Sequence, residues 1–107
     1  MDSKATLENM LAAAKNAAGV HWNDVRDYLK RELAAAQEEA RAIALEVVNE
    51  IKTPEQAKIE LQSIKESLQD VKLALTVAAK AAAQDAINAA LDVLRAAVNS
   101  AAKVTIL

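Results

Sequence analysis

The chain has 107 residues, a formal charge of −2, one Gly, one Pro and no Phe, enough for one domain and too few for two separate cores. Acids and bases are interspersed, which excludes the basic footprint of a nucleic-acid binder. The lack of Cys excludes disulfides and thiolate metal sites and fits a reducing, cytoplasmic location.

An excess of Ala, Leu, Glu, Lys and Gln is the composition of helix formers, so the expectation is one all-α domain over residues 1–107. At the N-terminus, acidic residues stand where a signal peptide carries a basic leader, and the apolar positions are periodic rather than continuous. Ser3 is placed to cap a first helix over about 4–18, in which Leu7, Met10, Leu11, Ala14 and Ala18 recur at helical spacing. Gly19 suits the left-handed position that ends it.

His21, Trp22, Asn23 and Asp24 supply capping groups and early acid for a second helix, predicted over about 22–52. Its stripe runs from Trp22 through Val25, Leu29 and Leu33 to Ile51 without a breaker. Thr53-Pro54-Glu55-Gln56 then combines an N-cap Thr, a Pro at the first helical position and a Gln completing a capping box. A tight helix-helix corner is predicted there. No Gly or Pro follows, so a third helix is predicted over about 54–103, roughly 75 Å at 1.5 Å per residue. Its heptad seam (Leu61, Ile64, Leu68, Val71, Leu75) fails at Asp85, which places a possible break near 83–85. Beyond it the apolar stripe is Ile87, Leu91, Leu94 and Val98.

The apolar residues mirror about Lys52. Leu29, Leu33, Ala36, Ala40, Ile43 and Val47 pair in order with Leu75, Val71, Leu68, Ile64, Leu61 and Ala57, as in two antiparallel helices folded back on one another. The first helix is then expected beside residues 86–103. A lone hairpin leaves Leu45, Val48, Ile51, Leu73 and Val77 uncovered, each forfeiting roughly 1.5–3 kcal/mol. The reading adopted is therefore a homodimer of hairpins, a four-helix-bundle-like coiled-coil assembly, whose interface draws on Leu45, Val48, Ile51, Leu73, Val77, Ile87, Leu91, Leu94 and Val98. The alternative is a compact monomeric four-helix bundle. Glu32, Glu39 and Glu46 recur every seven residues, as do Lys58, Lys65 and Lys72, and heptad geometry puts them on opposite edges of the seam, where they would orient a second hairpin.

Site chemistry is sparse. His21 is the only histidine, so no triad or multi-histidine metal centre can be drawn around it; His21, Asp24 and Tyr28 share a helix face, with helix capping the preferred role for His21. Glu38, Glu39, Glu46 and Glu50 lack the Glu-x-x-His motifs of di-iron bundles. Gly19 stands alone, without a phosphate loop. Thr105-Ile106-Leu107 has the form of a strand-adding C-terminal ligand, with a frayed terminus or an apolar tail packing on a neighbour preferred. No stretch is apolar enough to span a membrane. No catalytic residue, cofactor or metal ligand is therefore assigned. The expected function is that of a non-enzymatic scaffold or adaptor working through helix-face packing and self-association, with a protein partner of unspecified identity. The alternative is an amphipathic coat whose face over residues 73–102 binds a lipid or polymer surface.

Overall fold

The computed structural model describes residues 2–107, and Met1 lies outside the described residues. Four α-helices follow in order: α1 (Ser3–Ala18), α2 (Trp22–Val48), α3 (Pro54–Gln69) and α4 (Val77–Ala102), with a single 3-10 turn at Gly19–His21 between the first two. Asp2 caps α1, its side chain accepting from the Ala5 N–H. The cap is thus one residue earlier than the sequence suggests, because the Ser3 hydroxyl is spent on α2: it donates to Gln37 Oε1 at 2.9 Å. Gly19 ends α1 with a positive φ of 57°, its N–H bonded to Lys15 O, but its ψ of −126° differs from the left-handed helical conformation expected there.

That Ser3–Gln37 contact shows α1 folding back along α2 rather than running on in line with it. At the other end of α2, Glu50 adopts a left-handed φ of 60°, and the Ile51 and Lys52 N–H groups both bond to Glu46 O. The left-handed residue stops the helix at Val48, four residues short of the predicted end near 52. The corner at Thr53 forms as read: its hydroxyl accepts from Gln56 N–H while the Gln56 side chain accepts from Thr53 N–H, closing the capping box with Pro54 at the helix start. Lys52 ties the two helices further, its Nζ lying 2.6 Å from Glu60 Oε2 and 3.2 Å from Glu46 Oε2.

α2 packs on α3 as a fold-back requires, although Val71 and Leu75 lie beyond α3 in the irregular segment. Ala36 and Leu68 line one narrow crevice, and all twelve mirrored residues are buried or partly buried in one core. Near the far end of the hairpin the Tyr28 hydroxyl accepts from Lys72 N–H at 3.1 Å. The chain then leaves the helix. Asp70–Thr76 is irregular, and α4 begins afresh at Val77 with Thr76 as its cap, accepting from Ala79 N–H.

The break therefore lies at 70–76, not at 83–85, where α4 is continuous. The apparent shift of stripe at Asp85 is the new helix presenting its own inward face: Ala79, Ala83, Ile87, Leu91, Leu94 and Val98 are buried. A continuous helix over 54–103 would also need roughly 75 Å, whereas the molecule is 44 Å along its longest axis.

After the turn α4 runs antiparallel to α3, with Gln69 Nε2 donating to Asn88 Oδ1 at 3.2 Å. It packs on both α1 and α2, more closely than on α3, while α1 and α3 do not pack on each other. Small residues permit this approach, since Ala14 and Ala18 of α1, Ala36, Ala40 and Ala44 of α2, and Ala83, Ala86 and Ala90 of α4 are all buried, and axes separated by Ala come near the lower end of ~8–10 Å. The inward stripe of the hairpin is thus covered by the chain's own α4 and α1, whereas Leu45, Val48, Ile51 and Val77, which seemed to need a second copy, remain exposed.

Candidate interaction surfaces

Large apolar side chains left in solvent gather at the α2–α3 corner. Ile51 is 69% exposed, Ile59 74%, Leu45 41%, Val48 40% and Val104 43%. Val48, Ile51 and Val104 line one depression of about 490 Å³, and Ile51 and Ile59 line the next, so Ile51 joins the two into one apolar end. Its origin is a difference in helix length. Val48 follows Gln37 by three turns on the same face of α2; α1 covers Gln37, but its first residue is already level with it, so this face of the upper turns has no cover from α1 while Ala40, Ile43 and Ala44 stay buried. Glu50, Lys52 and Lys103 rim the same depression. At the opposite end Val20 and Val77 are also exposed.

The nine residues predicted for an interface therefore divide. Leu45, Val48, Ile51 and Val77 are open to solvent and Leu73 is half-buried, but Ile87, Leu91, Leu94 and Val98 are inside the chain's own core. The correction has one cause: α4 turns its stripe onto α1 and α2, which consumes it. Ile59 was missed because it lies on the outer face of α3, outside any apolar stripe; its isolation among polar neighbours was the available signal.

The charged edges separate as the heptad positions require. Glu32 and Glu39 flank the crevice between α2 and α3, while Lys58 and Lys65 flank the groove between α3 and α4. Glu46 is engaged by Lys52, and Lys72 lies in the irregular segment rather than on a helix. Lys52 has its pKa raised above 10.5, chiefly by the Glu60 hydrogen bond, against the opposing effect of desolvation and with Glu46 adding to the rise.

His21, Asp24 and Tyr28 do not form one cluster. His21 Nδ1 is 3.3 Å from Asp24 Oδ2, whereas the Tyr28 hydroxyl reaches the Lys72 backbone; His21 stands at the start of α2 but its side chain makes no capping bond. Among the described residues no group of three His, Cys, Asp or Glu side chains is placed to hold a metal ion, and no helix is long and apolar enough to cross a membrane. The tail is packed on its own chain: Asn99 Oδ1 accepts from the N–H groups of Ile106 (2.8 Å) and Leu107 (3.0 Å), and Ile106 is buried. A strand-like extension at Thr105–Leu107 is thus already committed.

What these elements define is an all-α chain whose open surface includes an apolar end, a crevice between α2 and α3 flanked by Glu32 and Glu39, and a groove between α3 and α4 flanked by Lys58 and Lys65. Comparison with protein-family models, with characterised proteins and with solved structures found no match.

Proposed function

We propose that this chain is a non-enzymatic helical interaction module, a scaffold or adaptor, that self-associates through the apolar end formed by Leu45, Val48, Ile51, Ile59 and Val104. The observation that carries the reading is the gathering of five large exposed aliphatic side chains at one end. Isolated exposed apolar residues are ordinary, whereas a contiguous patch rimmed by polar groups is the signature of an interaction surface. The occupant is a second copy. Glu50 and Lys103 lie on the same rim, so a twofold axis passing between them would set each against its opposite on the second copy, and an isologous contact of this kind closes at the dimer.

This dimer differs from one built on the hairpin seam, because the seam is already filled. On the same reading the module works in a reducing compartment, the cytoplasm, in keeping with a chain free of Cys. The coat alternative has weaker support: the face of residues 73–102 that motivated it is largely turned inward, so surface binding would require α4 to leave the core.

Sedimentation velocity tests the proposal. The protein should sediment as a dimer at tens of micromolar, in the range of ordinary weak interfaces, and Ile51→Glu should give a monomer with unchanged helix content. A monomeric wild type at the same concentration, or an Ile51→Glu dimer, overturns it.

A further inference from the structure

The turn at 70–76 that returns α4 over the hairpin contains no residue that forbids a helix. No Gly or Pro occurs after Pro54, and the heptad series Ile64, Leu68, Val71, Leu75, Ala78 and Ala82 passes from α3 through the turn into α4 without a missed position. Within the turn the Asp70 N–H bonds to Glu66 O and the Lys72 N–H to the Tyr28 hydroxyl. Among the described residues its other backbone donors have no protein partner, whereas a continuous helix would pair each with the carbonyl four residues earlier. Val71 is buried and Leu75 half-buried in the turn, and residues four apart also share one face of a helix.

What holds the bend is the seating of α4. That helix packs closely on α1 and α2 and least on α3, so its place is set by the α1–α2 hairpin rather than by the helix it follows. An α4 from a second copy would make the same contacts, with Gln69 of one chain meeting Asn88 of the other as they now meet within one. The exchange gives up only what is peculiar to the turn. Those features are the Lys72–Tyr28 bond, the Thr76 cap on Ala79 N–H and the half-burial of Leu73, which a continuous helix would turn outward at heptad position f.

We infer that the chain forms a second kind of dimer by exchanging α4: the turn at 70–76 straightens, α3 and α4 become one helix over 54–102, and α4 seats on the α1–α2 face of a second copy. Exchange of an identical element keeps the packing inside each unit and is a low-cost route to a dimer. The occupant is a second copy because the face fits the chain's own stripe of Ala83, Ile87, Leu91, Leu94 and Val98. The corner at Thr53 cannot straighten in the same way, since Pro54 inside a helix would remove a hydrogen bond and clash with the preceding turn. The exchanged dimer makes no use of the apolar end, so the two associations stand or fall separately.

The test is run in Ile51→Glu, which removes the apolar-end contact, with Gln69→Cys and Asn88→Cys supplying the only thiols of the chain. After refolding from urea at high protein concentration, size-exclusion chromatography should resolve a dimer that persists on dilution, because reversal requires α4 to leave the core. A short bismaleimide should join the two thiols within one chain in the monomer fraction and between chains in the dimer fraction. Thr76→Ala removes a cap that only the bent form has and should raise the dimer-to-monomer ratio by about fivefold or more. Ala74→Pro, at an exposed position outside any helix, should abolish the dimer, since proline breaks the continuous helix. Ala74→Gly, which should lower the ratio by about fivefold, replaces it if the proline variant folds poorly. The inference is overturned by the absence of a dimer after refolding, by a dimer whose crosslinks stay within single chains, or by a dimer undiminished in the Ala74 variants.

Discussion

Lys52 shows how much of this molecule's local order rests on single side chains. It lies in the turn between α2 and α3 and reaches one carboxylate on each helix of the corner, Glu46 and Glu60. Its raised pKa fixes the sign of the pH dependence. A lysine whose folded pKa exceeds its unfolded value contributes stability in full below the unfolded value of 10.5 and loses it as pH rises through the folded one. Wild type should therefore be more stable than Lys52→Met at neutral pH, and the difference in urea midpoint should shrink as pH climbs above 10.5; a gap independent of pH would assign the effect to packing of the lysine stem. The side-chain cap at Thr53 was legible in sequence because its signal is confined to four neighbouring residues. The Lys52 bridge was not, since Glu60 comes within reach only after the corner has turned.

Helix boundaries divide the same way. Gly19 and Thr53-Pro54 were readable because each carries its own stereochemistry, a freely available positive φ and a fixed φ at a helix start. Glu50 has no such label. It occupies a left-handed φ that costs an ordinary residue roughly 1–2 kcal/mol, stabilised here by the Ile51 and Lys52 bonds back to Glu46. Glu50→Gly should relieve that strain and, after the entropy a glycine adds to the unfolded chain, raise stability by about 0.5–1 kcal/mol, read as a higher thermal midpoint; Glu50→Ala should give no such gain. The missed break at 70–76 did leave a trace. Val71, Leu73 and Leu75 are buried or half-buried and alternate with exposed Lys72, Ala74 and Thr76, a period of two that belongs to extended chain rather than helix. Because Leu68, Val71 and Leu75 also satisfy heptad positions, the helical reading concealed it.

At the level of the whole molecule, all four helices contribute to one contiguous core, and α4 touches each of the others. No pair of helices has a private interior. Unfolding should accordingly be a single transition, with the urea midpoint from Trp22 fluorescence at the α1–α2 junction coinciding with that from helical circular dichroism. An earlier Trp22 transition would mean that α1 detaches as a separate unit.

Residue order alone settled the helical class, the corner at Thr53 and the residues facing inward across α2 and α3, because propensity, capping chemistry and apolar spacing act over a few residues and need no distant partner. It also marked part of the apolar end, in Leu45, Val48 and Ile51. Tertiary packing decided which partner each apolar stripe received. Periodicity reports that a helix face is buried but is silent on whether its cover comes from the same chain or another; the turn at 70–76 brings α4 back over the hairpin, takes Ile87, Leu91, Leu94 and Val98 out of reach, and leaves the short α1 to expose the end of α2.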